Sequence, residues 1–179
     1  MSKNILVISA SLRNGSNSDM LADEFMRGAI ESGNKAEKIT LRGKSINFCK
    51  GCLACQKTGK CVIKDDMAEI LPKMQQADAI CFASPVYFYD MCGQLKTFLD
   101  RTNPLFPAEY NFTDIYFLIT AADTEQSASE GPLKGLQGWI DCFENAGLKG
   151  VVCGLGAEKP GDVKSMSAMN EAYMLGKQA

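Results

Sequence analysis

Four of the chain's eight cysteines fall between Cys49 and Cys61, in the pattern C-x2-C-x2-C-x5-C. In a reducing compartment, thiols clustered this closely do metal or redox chemistry. Three readings stand side by side. A candidate [4Fe-4S] cluster suits Cys49, Cys52 and Cys55 as closely spaced thiolates with Cys61 as the fourth. Tetrahedral zinc is less suited, because its two CxxC knuckles are ordinarily separate and here they share Cys52. In the third reading these are unliganded thiols, with Cys52 and Cys55 as a redox pair. Lys50, Lys57, Lys60 and Lys64 flank the loop as a solvated face or as counter-charge. Cys81, Cys92, Cys142 and Cys153 lie in or beside apolar runs and read as small hydrophobes.

A second group of residues favours an anion. Ser11-Leu12-Arg13-Asn14-Gly15-Ser16-Asn17-Ser18 joins a buried apolar run, Ile5–Ile8, to an amphipathic helix. A helix N-terminus carries unpaired N–H groups and partial positive charge. Ser11, Ser16, Asn17 and Ser18 add hydrogen-bond donors, and Arg13 can grip phosphate bidentately. With neither GxxxxGK[ST] nor GxGxxG present, a phosphomonoester fits better than a triphosphate or pyrophosphate. The plainer alternative is a polar turn with a helix cap. A third group, Ser84-Pro85-Val86-Tyr87-Phe88-Tyr89, puts three aromatics after another buried run, and at least one of them should face a crevice as a flat wall. Ala121-Ala122-Asp123 follows a further apolar run and offers room for close approach. The chain has no histidine, which removes Ser-His triads, His-ligated zinc and His general bases.

The elements that must hold these loops follow from hydrophobic spacing. Apolar runs at Ile5–Ile8, Ala79–Ala83, Ile115–Thr120 and Val151–Cys153, with a more polar one at Lys35–Leu41, predict strands. The strand at Ala79 is expected to stop at Ser84-Pro85. Helical spacing appears at Leu21–Ile30, Met67–Met74, Leu95–Leu99 and Leu136–Phe143, with a last helix near Ser167–Leu175. Asn17 or Ser18 is the expected cap of the first helix, and Gly147 the end of the fourth. Continuous apolar strands alternating with helices mean an α/β fold, a parallel sheet covered on both faces. Its ligands belong at the carboxyl ends of the strands. The 179 residues, 46% hydrophobic and 22% charged, fit one domain over 1–179, with the cysteine loop 46–65 inserted at that edge. A net charge of -2 offers no field for nucleic acid or an acidic membrane. No run is long enough to cross a bilayer and no signal-peptide layout is present, so the expectation is a cytoplasmic chain.

Taken in series, three stretches resemble the flavodoxin-like NAD(P)H-dependent FMN reductases, and most of all the branch containing the iron–sulfur flavoproteins. They are the Ser11–Ser18 loop, the cysteine stretch ending Gly59-Lys60-Cys61-Val62-Ile63-Lys64-Asp65-Asp66-Met67, and Ser84–Phe88 followed by Gly93-Gln94-Leu95-Lys96-Thr97-Phe98-Leu99-Asp100-Arg101. The resemblance implies a flavodoxin-like, doubly wound five-stranded parallel sheet. It implies that Ser11, Arg13, Ser16, Asn17 and Ser18 hold the FMN phosphate. Pro85, Val86, Tyr87 and Phe88 would line the isoalloxazine ring, partly through backbone N–H groups, with Ala121, Ala122 and Asp123 on its other side. This chain has Ala121-Ala122-Asp123 where relatives often carry glycines, and Ser9-Ala10 in place of Gly-Ser. The implied activity is hydride uptake from NAD(P)H and delivery to flavin, quinone or another small-molecule or protein acceptor, without a catalytic side chain. The alternative is an iron–sulfur flavoprotein electron carrier, although a small acidic shuttle would carry a stronger negative excess. A third reading is a redox sensor that has lost flavin. A homodimer or homotetramer is also implied.

Overall fold

The structure is a computed structural model and describes residues 2–179. In chain order the strands are β1 (Asn4–Ser9), β2 (Lys35–Thr40), β3 (Ala79–Tyr87), β4 (Asp90–Met91), β5 (Asp114–Ala121) and β6 (Gly147–Leu155). The helices are α1 (Asn17–Glu31), α2 (Ala54–Thr58), α3 (Met67–Gln76), α4 (Gly93–Asp100), α5 (Glu130–Ile140) and α6 (Ser167–Gln178). Five strands pair in parallel in the order β2-β1-β3-β5-β6, and β4 folds back antiparallel on β3. The expected flavodoxin-like architecture is therefore present, with β2 at an edge as its polar sequence predicts.

Alternate residues of each central strand feed two cores. Ile5 and Val7 of β1, Cys81 and Ala83 of β3, and Leu118 of β5 pack under α1 and α6 with Phe25. Leu6, Ile8, Phe82, Phe117 and Ile119 pack under α3, α4 and α5 with Phe98 and Leu136. Burial on both faces is why the strands read as continuous apolar runs. On the first face α6 runs against α1 closely enough that a Cβ on Gly28 would stand 2.1 Å from the Tyr173 carbonyl oxygen. The chain leaves β1 outward to β2 and returns to β3 on the other side of β1. That reversal opens a crevice at their carboxyl ends.

Four local expectations are corrected. β3 does not stop at Ser84-Pro85 but continues to Tyr87. The Ala83 carbonyl accepts from Ala10 N–H on the β1 side, and Pro85, two residues on, faces the same way beyond the end of β1. Its missing N–H therefore breaks no ladder. The cap of α1 is Ser16, whose Oγ accepts from Asp19 N–H at 3.2 Å, rather than Asn17 or Ser18. Gly147 opens β6 instead of ending α5; the helix ends at Ile140, and Phe143 packs from the turn beyond it. Cys142 is exposed, while Cys81 and Cys92 are buried and Cys153 is half-buried.

Candidate functional site

The loops after β1, β3, β5 and β6 converge on one cleft enclosing about 80 Å³. Ser11, Arg13, Ser16, Asn17 and Ser18 line it from the first loop, Pro85, Val86 and Tyr87 from β3, and Ala122 from the third loop. The structure thus gathers nine residues that the sequence singles out. Ala121 is buried and is not among the lining residues. Phe88 and Asp123 lie outside the lining. Sequence reasoning missed Thr120, Ala157, Glu158 and Pro160, which complete it. Three of those follow β6, and their signal is positional: like the other loops, they come directly after an apolar strand.

The first loop divides its duties by hydrogen bonding. Asn17 is saturated: its Nδ2 donates to the carbonyls of Ala157 at 3.1 Å and Lys159 at 2.9 Å, and its Oδ1 accepts from Gly161 N–H at 2.8 Å and Val163 N–H at 3.4 Å. It fastens the loop after β6 to the start of α1. Ser16 caps the helix. Ser11 Oγ accepts from Arg13 N–H at 3.3 Å and keeps its own proton free to donate. Ser18 is fully buried, and its Oγ has no partner. A buried hydroxyl left unpaired is destabilising by about 1–3 kcal/mol, so a ligand acceptor in the cleft answers an existing deficit. The first N–H groups of α1 have no intrahelical acceptor by helix geometry. Arg13 is exposed and, among the described residues, makes no ion pair; its Nη1 reaches only the Glu158 carbonyl at 3.5 Å. Hydroxyl, helix N-terminus and free guanidinium together fit a phosphomonoester.

The enclosed space suits a phosphoryl group and its first carbons. Beside it Val86 and Tyr87, the latter half-exposed, form an open shelf. That shelf is a two-residue hairpin: Val86 pairs with Met91 and Tyr87 with Asp90. Phe88 and Tyr89 form its tip with φ of +51° and +60°, a left-handed pair that favours Asn-Gly and strains bulky side chains. Two contacts hold it. Tyr89 OH donates to Asp123 Oδ2 at 2.8 Å, and α5 comes so close that a Cβ on Gly131 would stand 2.0 Å from the Tyr89 carbonyl oxygen. Hydrogen bonds from Glu125 N–H and Tyr89 hold the Asp123 carboxyl below its ordinary range, and Asp123 in turn raises the Tyr89 phenol. Phe88 stands wholly in solvent, at 102% exposure.

The cysteine loop leaves the carboxyl end of β2. Its two ends are drawn together by a buried ion pair: Arg101 Nη1 reaches Asp65 Oδ2 at 2.6 Å, with the side chains 1% and 2% exposed. Arg101 also donates to the Asn47 carbonyl at 2.7 Å and towards Cys61 Sγ at 3.6 Å. Burial would raise the Asp65 carboxyl, but hydrogen bonds from Arg101 and Asn47 outweigh it and take it down to about 2. All eight cysteines are free thiols. Burial pushes the Cys55 thiol up, and the neighbouring Cys61, Cys49 and Cys52 add to that. Yet, among the described residues, no three Cys, Asp or Glu side chains gather closely enough to hold a metal ion. Four clustered thiols are the donor type an iron–sulfur cluster takes, and equally that of an unliganded redox loop.

A sequence profile described as NADPH-dependent FMN reductase matches residues 3–130. An iron–sulfur flavoprotein of Methanocaldococcus jannaschii is 44% identical over 101 residues, which cover 56% of this chain and 52% of that protein. The chain thus spans about half the length of such relatives. A protein of Bacillus subtilis named as an NAD(P)H-dependent FMN-containing oxidoreductase is 29% identical across 98% of this chain and 97% of its own. Among solved structures, an NAD(P)H:quinone oxidoreductase from Methanothermobacter marburgensis superposes with a TM-score of 0.77. It is 20% identical and covers 99% of this chain and 96% of that one.

Proposed function

Since the chain belongs to the NADPH-dependent FMN reductase family, we propose that it binds FMN, takes hydride from NAD(P)H and passes electrons to a flavin, a quinone or another acceptor. When bound, FMN would supply the redox chemistry, accepting a hydride and giving up its electrons. The chain's own residues bind and orient. Ser18 and Ser11 donate their hydroxyl protons to the phosphate, Arg13 offsets its charge, and the first N–H groups of α1 complete the cradle. Asn17 and Ser16 serve the same end from behind, one fastening the loop after β6 and the other capping α1. Pro85, Val86 and Tyr87 carry the ring, Phe88 contributes its backbone, and Ala121, Ala122 and Asp123 close the opposite side. The observation that carries this reading is the buried, partnerless Ser18 hydroxyl inside a cleft that ends in a free guanidinium.

The test is direct. Purified protein titrated with FMN should turn yellow and oxidise NAD(P)H in the presence of a quinone. Arg13→Ala should weaken FMN affinity by roughly ten-fold or more, as the loss of a charge-assisted contact. Colourless protein that refuses FMN at saturating concentration overturns the reading.

The cysteine loop and the likeness to iron–sulfur flavoproteins favour a second reading, an electron carrier in which Cys49, Cys52, Cys55 and Cys61 close on a [4Fe-4S] cluster. Anaerobic reconstitution with iron and sulfide decides it: stoichiometric iron with a broad visible absorbance supports the carrier, and absence of uptake removes it. No helix of the described residues is long and apolar enough to cross a membrane. A cytoplasmic homodimer or homotetramer is part of the proposal, and light scattering checks the assembly.

A further inference from the structure

Behind the phosphate loop lies a second cleft, of about 390 Å³, bounded by Leu12, Leu41, Ile46 and Phe48 and by the first turns of α4. This volume is in the range of small-molecule sites. Leu12, set between Ser11 and Arg13, turns to this side of the loop while its two neighbours line the phosphate cleft. Leu12 is 48% exposed and Phe48 79%, so two large apolar side chains flank the opening. Lys44 stands at its rim, and Arg42 borders an adjoining hollow that Lys44 shares. Neither Arg42 nor Lys44 makes an ion pair among the described residues, although Glu69 borders the same hollow. Nearby Lys38 is paired with Asp19 and Asp23, and Lys73 with Glu37. Arg42 is also aimed, its Nη1 donating to the Arg13 carbonyl at 3.1 Å. An exposed aromatic beside an apolar trough, with Lys44 at the lip and Arg42 in the adjoining hollow, neither of them ion-paired, is complementary to a flat heterocycle bearing a phosphomonoester.

We propose that this cleft takes the 2′-phosphoadenosine end of NADPH, the base against Phe48 and the 2′-phosphate between Arg42 and Lys44, so that these two cations set the preference for NADPH over NADH. The inference rests on the reading of the chain as an NAD(P)H-consuming flavoprotein. Gly93 and Gln94, on the cleft wall, are joined through Cys92 to the hairpin that carries the ring shelf, so cleft and shelf adjoin along the chain.

The experiment uses FMN-loaded protein, wild type and the double variant Arg42→Ala/Lys44→Ala, with one quinone as acceptor. The expected result is a rise of roughly ten- to a hundred-fold in KM for NADPH, with KM for NADH and FMN content unchanged. By calorimetry 2′,5′-ADP should bind the wild type and not the variant, and 5′-AMP should bind both weakly. An unchanged NADPH-to-NADH ratio, or no binding of 2′,5′-ADP to the wild type, overturns the proposal. A free flavin phosphate could use the same groups. If the variant raises KM for added FMN but not for riboflavin, and leaves NADPH alone, the cleft serves an acceptor and the proposal falls. Failure of the underlying reading looks different, because that protein would never take up FMN, whereas the calorimetric arm needs no turnover.

Discussion

Ser18 and Asn17 are neighbours on the first turn of α1, yet the hydrogen bonding assigns them opposite duties. Asn17 spends all four of its hydrogen-bonding positions on the loop after β6. Asn17→Ala should therefore lower stability by about 2–3 kcal/mol, and urea denaturation will read it. Ser18 has a buried hydroxyl with no partner, so removing it takes away an unpaid desolvation. Ser18→Ala should leave the ligand-free protein as stable, or more stable by up to about 1 kcal/mol, while FMN affinity falls by roughly ten-fold. Lower stability with unchanged FMN affinity would contradict the role given to this hydroxyl. Both residues were legible as site candidates because the loop is contiguous and sits at a strand end. Their division of labour was not, since it depends on carbonyls about 140 positions away. Ala157, Glu158 and Pro160 escaped notice because an alanine, a proline and a lone carboxylate form no motif, and only the fold brings them to the cleft.

Among the elements, the hairpin after β3 carries the most strain and the most consequence. Pro85 made the strand look finished, because a proline ordinarily interrupts a ladder; the parity of the hydrogen bonds, invisible in sequence, lets β3 run on. The strands and helices themselves were legible because burial on both faces writes unbroken apolar runs. Phe88 has no packing to lose and a left-handed backbone to relax. Phe88→Asn, which tolerates that conformation, should raise stability by about 0.5–1 kcal/mol in thermal or chemical denaturation. FMN affinity should stay within about two-fold, because the Phe88 side chain stands in solvent and does not line the cleft. Gly131→Ala works the other way. Its Cβ would meet backbone, which cannot swing aside, and moving the hairpin should destabilise by about 1–3 kcal/mol. It should weaken FMN binding as well. A Gly131→Ala protein with native FMN affinity would show that the shelf is not fixed by α5.

For the whole molecule, the sheet places the loops that line the candidate cleft at one edge, and the cysteine loop is fastened to the end of α4 through the pair of Asp65 with Arg101. This pair sets an acid limit. The Asp65 carboxyl sits at about 2 in the folded chain against 3.8 ordinarily, so its contribution is complete above about pH 5 and is lost as pH falls from there through 2. A shift of that size corresponds to roughly 2 kcal/mol. Asp114, held low despite burial by Lys3, adds a smaller slope in the same direction. Stability measured by urea should be level from neutral pH down to about 5 and then decline steeply. Asp65→Asn should flatten most of that decline while lowering stability at pH 7, because Arg101 then keeps a buried charge without its counter-ion. Arg101→Met should be worse at neutral pH, by about 3–5 kcal/mol, for the mirror-image reason. It should also make Cys61 faster to react with a thiol reagent, since the neck that holds the loop closed has lost its clamp. If Asp65→Asn keeps the wild-type acid slope, the limit lies elsewhere and the loop is not fastened through this pair.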